Sequence, residues 1–195
     1  MRKAYKETEI KLQIPDMSQA VGKVLALGGR QTMERHLEDN LLFDRESDSL
    51  AQQRKLLRLR IIAEAEPPHA EKLAILTFKG SPEISDGVKK RDEIECEVSG
   101  ASNLIEILSH LELHPTFRYQ KYRTIFTIKD VDLEICLDET PVGCFYELEG
   151  EILRIHQFAT KLGYNRDDYI TQSYATLYYR WCQKTGSKEP HMLFK

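Results

Sequence analysis

Eight stretches of this chain alternate charged and apolar residues with a period of two, and that pattern constrains the fold more than any other feature. The first, "KETEIKLQIP" (6–15), sets Glu7, Glu9 and Lys11 on one face and Ile10, Leu12 and Ile14 on the other. Side chains of a β-strand point alternately to its two faces, so this is a strand with one charged and one apolar side. The same reading applies to 36–44, 55–63, 72–80, 91–98, 117–128, 131–138 and 143–151. Gathered together, one face carries Glu7, Glu9, Lys11, Arg58, Arg60, Lys79, Arg91, Glu93, Glu95, Lys121, Arg123, Asp138, Glu147 and Glu149. The opposite face is mostly Ile, Leu, Val and aromatic.

Helical periodicity is rarer. "PDMSQAVGKVLALGG" reads as a helix, with Asp16 and Gln19 as a capping box and Gly28-Gly29 as its stop. A second helix spans 102–113, with Leu104, Ile107, Leu108 and Leu111 on its apolar side, and two more follow over 153–162 and 168–184. "ESDSLAQQR", "EAEPPHAE" and "SPEISDGVKK" read as loops, and the last residues, 186–195, as a loose tail after a single domain over 1–185.

Two arrangements accommodate this pattern. One is an open antiparallel sheet, solvated on its charged side and packed against helices on the other. The second is an eight-stranded antiparallel closed β-barrel with flanking helices, a mainly β (α+β) fold that removes both sheet edges. In a barrel with helices outside, the charged face lines a lumen. A lumen crowded with both signs is costly unless its charges pair or bind something. Clustered Lys and Arg suit a polyphosphate, since Arg makes forked contacts to phosphate oxygens. Carboxylates at alternate strand positions suit Mg²⁺ or Mn²⁺.

Composition narrows the function classes. The 28 Lys and Arg are balanced by 31 Asp and Glu, for a net charge of -3, so no global basic field points to nucleic acid. No apolar run is long enough to span a membrane, and "MRKAYKETEI" lacks the apolar stretch of a signal peptide, which points to the cytoplasm. Cys96, Cys136, Cys144 and Cys182 form no C-x-x-C and read as reduced small hydrophobes.

"ETEIK" (7–11) matches the ExExK signature of the CYTH superfamily, the triphosphate tunnel metalloenzymes. "LRLR" (57–60), "LTFKG" (76–80), "RDEIE" (91–95), "KYR" (121–123), "LDE" (137–139) and "GCFYELEGE" (143–151) follow in the family's order. The chain therefore resembles this superfamily over nearly its whole length, and most closely its bacterial members labelled class IV adenylyl cyclase. The resemblance implies an eight-stranded tunnel in which Glu7, Glu9, Glu147 and Glu149 hold a catalytic divalent metal, with Asp138 as a further ligand. It implies triphosphate binding by Lys11, Arg58, Arg60, Lys79, Arg91, Lys121 and Arg123. Glu93 and Glu95 match acids that serve a second metal or balance the bases, and an internal salt bridge to Arg91 or Arg123 is the alternative. The expected activity is metal-dependent hydrolysis of inorganic triphosphate or a nucleoside triphosphate. The alternative is conversion of ATP to cyclic AMP, and a non-catalytic polyphosphate-binding module ranks last. The resemblance also allows a homodimer.

The chain departs from the family in two places. Leu56 stands where thiamine triphosphatases carry a stacking tryptophan, which argues against that substrate. Asn40 and Leu42 replace the acid and tyrosine of the common "DxYFD" strand. Elsewhere, Ile170, Tyr174, Leu177 and Trp181 fall at helical spacing, as a face packed on the barrel. Lys184 reads as a solvated helix-end lysine, and Lys89-Lys90 as part of a solvated loop. None of the six histidines is expected in the lumen.

Overall fold

A computed structural model of the chain describes residues 5–63 and 73–195. Nine strands form one antiparallel sheet: β1 (Tyr5–Ile14), β2 (Gly29–Asp44), β3 (Leu56–Ala63), β4 (Leu73–Lys79), β5 (Glu83–Ser85), β6 (Val88–Val98), β7 (His114–Ile128), β8 (Val131–Thr140) and β9 (Gly143–Gly150). Their order is β1-β9-β8-β7-β2-β3-β4-β6-β5, and β1 also pairs with β6. Eight strands thus close into a barrel, and β5 is an extra strand hanging on β6. Closure decides between the two arrangements the sequence allowed, because every barrel strand now has two partners. "EAEPPHAE" lies outside the described residues.

The outward apolar faces are covered by helices. Helix α1 (Met17–Ala26) and helix α4 (Ile152–Lys161) cover β1, β8 and β9, where Ile10, Leu12, Ile135, Leu148 and Ile155 are fully buried. Helix α3 (Ala101–His110) covers a second patch around Phe43, Leu59 and Ala74. It buries Leu108, while Ile107 and Leu111 of its expected face are exposed. The cap of α1 also differs in detail. The Asp16 carboxylate accepts from the Ser18 N–H at 2.9 Å, and the Gln19 amide donates to that carboxylate rather than serving the backbone.

Five further expectations are corrected. Strand β2 begins at Gly29, not at 36, and takes up register shifts before His36. The "ESDSLAQQR" connector contains a helical turn, α2 (Ser49–Gln52), because the Asp44 carboxylate accepts from the backbone N–H of Arg45, Leu50 and Ala51. "SPEISDGVKK" is a hairpin, not a loop. Asp86 and Gly87 both take positive φ (56° and 75°), as a two-residue turn matched to strand twist requires, so β6 starts at Val88. The last helix, α5 (Tyr174–Thr185), begins at the Ser173 cap. Ile170 lies before it, exchanging backbone hydrogen bonds with Lys11 at 2.8 and 2.9 Å. The tail expected to be loose is docked. Met192 is fully buried, donates its N–H to the Arg118 carbonyl and accepts from Gln120 N–H.

Candidate functional site

The site follows from strand register. β1 sets Glu7 opposite Arg91 and Glu9 opposite Lys89 on β6; on its other side it sets Glu9 opposite Glu149 and Lys11 opposite Glu147 on β9. Across the barrel, Glu38 pairs with Lys121, Asn40 with Arg60 and Arg123 with Asp138. Most charged residues of this parity therefore face the lumen. They enclose a cavity of about 510 Å³ lined by eight bases and seven acids. Gly150 ends β9 directly after Glu149. Its φ is 152°, and a Cβ there would strike the Asp132 carbonyl, so the chain turns into α4 without pushing Glu149 aside.

One wall is acidic. Ligand oxygens of Glu7, Glu93 and Glu149 lie within 4.8 Å of one another. Burial and the nearby Glu7 and Glu9 charges push the Glu149 carboxyl up to about 8. Burial, with help from Glu7 and Glu95 against Lys79, pushes Glu93 up to about 7. Carboxylates crowded this way each disfavour the other's ionisation. Glu7 itself accepts from Lys79 at 2.5 Å and from Arg91 at 2.9 Å, and Lys79 also reaches Glu93 at 3.1 Å.

The opposite wall is basic. Arg123 forks onto Asp138 at 2.7 and 2.6 Å and reaches Glu147 at 2.6 Å. Lys121 donates to Asp138 at 2.9 Å and lies 3.4 Å from Glu38, which also faces Arg60 at 3.4 Å. Arg58 donates to Thr77 at 3.2 Å and to Glu95 at 3.4 Å. Among the described residues, the Nε atoms of Arg58 and Arg60 are buried without a hydrogen-bond partner, as are both ends of the Asn40 carboxamide. Between the walls, Lys11 bonds Glu147 at 2.8 Å and sits 3.5 Å from Glu9. Burial opposes its charge, but Glu147 and Glu9 hold its pKa above the usual lysine value. The Arg58 and Arg123 guanidiniums are likewise held above theirs against burial, by Tyr119 and Glu38 and by Asp138 respectively. One end of the cavity meets Ser173, Tyr174 and Ala175, where the Tyr174 hydroxyl donates to Asp138 at 2.5 Å.

All the expected site residues but one line this cavity: Glu7, Glu9, Lys11, Arg58, Arg60, Lys79, Arg91, Glu93, Glu95, Lys121, Arg123, Glu147 and Glu149. Asp138 does not. It is fully buried, with its oxygens taken up by Arg123, Lys121 and Tyr174. Glu93 bonds Lys79, and Glu95 bonds Arg58 and Thr77, so neither pairs as expected with Arg91 or Arg123.

Several lumen residues lie outside the sequence reading, among them Tyr119, which shares the parity of Lys121 and lines the cavity. Lys89 was assigned to a loop; it is 5% exposed and donates to Glu9. Its signal was parity, since it stands two residues before Arg91. Glu38 and Glu134 share the inward parity of Asn40 and Asp138 respectively. Tyr174 was expected only to pack on the barrel, and nothing in helical periodicity marks it as a lumen residue. The imidazole Nε2 of His36, also inward, lies 3.7 Å from Glu38.

The sequence profile of the CYTH domain matches residues 5–174. No curated protein matches the chain. Among solved structures, a candidate adenylate cyclase from Vibrio parahaemolyticus superposes with a TM-score of 0.76 at 19% identity, over 91% of this chain and 99% of that one. The PH1819 protein of Pyrococcus horikoshii gives 0.70 at 22% identity, over 90% and 99%. A candidate adenylyl cyclase from Hippeastrum, described as having a dominant triphosphatase activity, gives 0.62 at 21%, over 90% and 96%. At these identities the likeness speaks for the fold alone. With the profile spanning nearly all of the barrel, from the first strand to the residue that closes one end of the lumen, the chain belongs to the CYTH domain family.

Proposed function

We propose that the tunnel binds a triphosphate and hydrolyses it with the help of a divalent cation, as an inorganic or nucleoside triphosphate phosphohydrolase. The observation that carries this reading is the convergence of bases from five strands on one cavity that also holds a cluster of three carboxylates. Lys11, Arg58, Arg60, Lys79, Arg91, Lys121 and Arg123 offer an excess of donors to a polyanion, and the orphan Nε–H groups of Arg58 and Arg60 lack acceptors that phosphate oxygens would supply.

The acidic wall fits a hard cation. Its donors are all oxygen, and two of its three carboxyls have their ionisation suppressed by burial and mutual repulsion, which a cation would relieve. Glu7, Glu93 and Glu149 would hold Mg²⁺ or Mn²⁺, with Glu9 and Glu147 following along β1 and β9. When bound, such a cation polarises phosphoryl oxygens and lowers the pKa of a bound water. Phosphoryl transfer otherwise needs positioning and charge neutralisation. Arg123, Lys121 and Lys11 supply both from fixed places. Asp138 acts from behind, orienting Arg123 and Lys121, and Tyr174 restricts water at its end of the lumen.

Adenylyl cyclase activity is the second reading. Leu42, Leu56 and Ile94 give the otherwise charged cavity an apolar portion that suits a nucleobase. The Hippeastrum protein's description favours hydrolysis, and the name of the Vibrio protein favours the cyclase. Phosphorus NMR with Mg²⁺ separates them: orthophosphate from inorganic triphosphate supports hydrolysis, while cyclic AMP and pyrophosphate from ATP would replace it with the lyase.

A further inference from the structure

Glu9 sits at the centre of an unequal group of charges. Lys89 bonds it, Lys11 lies 3.5 Å away and Arg91 3.9 Å away. Lys11 and Arg91 have carboxylates of their own, Glu147 at 2.8 Å and Glu7 at 2.9 Å. Among the described residues, Glu9 is the sole carboxylate paired with Lys89. Three cations therefore crowd one carboxylate, at 3% exposure, in the wall of the cavity. A buried ion pair is weak grounds for stability, and this one stands in the wall of a cavity. An ammonium also carries three donors on a flexible four-carbon stem, so Lys89 can keep Glu9 and still turn a donor to another oxygen.

Register gives the place. The row Lys89–Glu9–Glu149 runs between the row Arg91–Glu7 and the row Lys11–Glu147. Lys89 thus stands beside the carboxylate cluster and one step from the phosphate-binding bases.

We propose that Lys89 is a further anion-contacting residue of the tunnel, shared between Glu9 and the polyphosphate chain, and that Glu9 accordingly positions two lysines, Lys11 and Lys89, for that chain. The inference rests on the reading of the tunnel as a triphosphate site. It adds a residue outside every motif by which the sequence resembles its family.

The test compares Lys89→Met with Lys90→Met, which removes the same charge one residue away on the opposite face of β6. Calorimetric titration with sodium tripolyphosphate, metal-free and at fixed salt, is expected to show affinity at least about tenfold weaker for Lys89→Met, within about twofold of wild type for Lys90→Met, and largely kept in Lys89→Arg. Equal affinities for Lys89→Met and Lys90→Met would overturn the proposal. No binding by the wild type would instead overturn the triphosphate reading itself. Should Lys89→Met fail to fold, the wild-type Lys89 ¹⁵Nζ resonance, assigned by its loss in Lys89→Arg, decides. A shift on adding tripolyphosphate is expected, and an unmoved resonance would overturn the proposal.

Discussion

Glu149→Gln makes the charge crowding of the acidic wall measurable. The Glu149 carboxyl is held at about 8 in the folded protein, against the ordinary 4.5 of an unhindered glutamate. Below pH 4.5 the carboxyl is protonated in both states and contributes nothing to the pH dependence. Between about 4.5 and 8 the folded protein keeps a proton that the unfolded chain has released, so stability falls as pH rises, by about 1.4 kcal/mol per pH unit. Above the folded pKa the loss levels off, at a total on the order of 4–5 kcal/mol. Glutamine cannot titrate and keeps nearly the same shape. Urea unfolding at half-unit steps from pH 5 to 9, metal-free, should therefore show the variant gaining on wild type by about 1.4 kcal/mol per unit up to about pH 8 and then running parallel. In wild type, Mg²⁺ or Mn²⁺ should recover most of the loss above pH 7, and the variant should recover much less. Parallel profiles for the two proteins across the whole range would refute the reasoning, because Glu149 would then ionise normally and the three carboxylates would not form a strained cluster.

Further predictions concern the basic wall, the aspartate behind it and the cap of α1. Arg58→Ala or Arg60→Ala should weaken tripolyphosphate binding by about 1.5–3 kcal/mol, one charge-assisted contact, and unchanged calorimetric affinity at fixed salt would place these side chains outside the site. Asp138→Ala should destabilise the protein by about 3–5 kcal/mol in urea, since Arg123 and Lys121 lose a buried partner. Asp138→Asn should leave Mg²⁺ affinity nearly unchanged, and a tenfold loss of that affinity would restore Asp138 as a metal ligand. Asp16→Ala removes the α1 cap and should cost about 1 kcal/mol without altering triphosphate turnover; a turnover change would reveal a coupling between α1 and the lumen.

Strand parity is a local property, which is why the lumen was so legible. The alternation in "KETEIK" and "YELEGE" dictates that Glu7, Glu9, Lys11, Glu147 and Glu149 share a face whatever the rest of the chain does. Lys89 was lost because "SDG" reads as a loop, although Asp-Gly between strands is equally a two-residue hairpin turn. Tyr174 was lost because it reaches the lumen from outside the barrel: a helix cap at Ser173 and the Ile170–Lys11 bonds aim it at Asp138, and no periodicity encodes that.

The amino-acid sequence by itself determined the strands, their two-sided character and the identity of nearly every charge in the lumen, because period-two patterning and the family motifs are written in consecutive residues. Tertiary structure alone decided which charges meet. The acids that converge are Glu7, Glu93 and Glu149, from three strands, while Glu9 and Glu147 are engaged by lysines and Asp138 is sealed behind Arg123. That sorting depends on the register of each strand pair and on barrel closure between β1 and β6, which couples residues eighty or more positions apart.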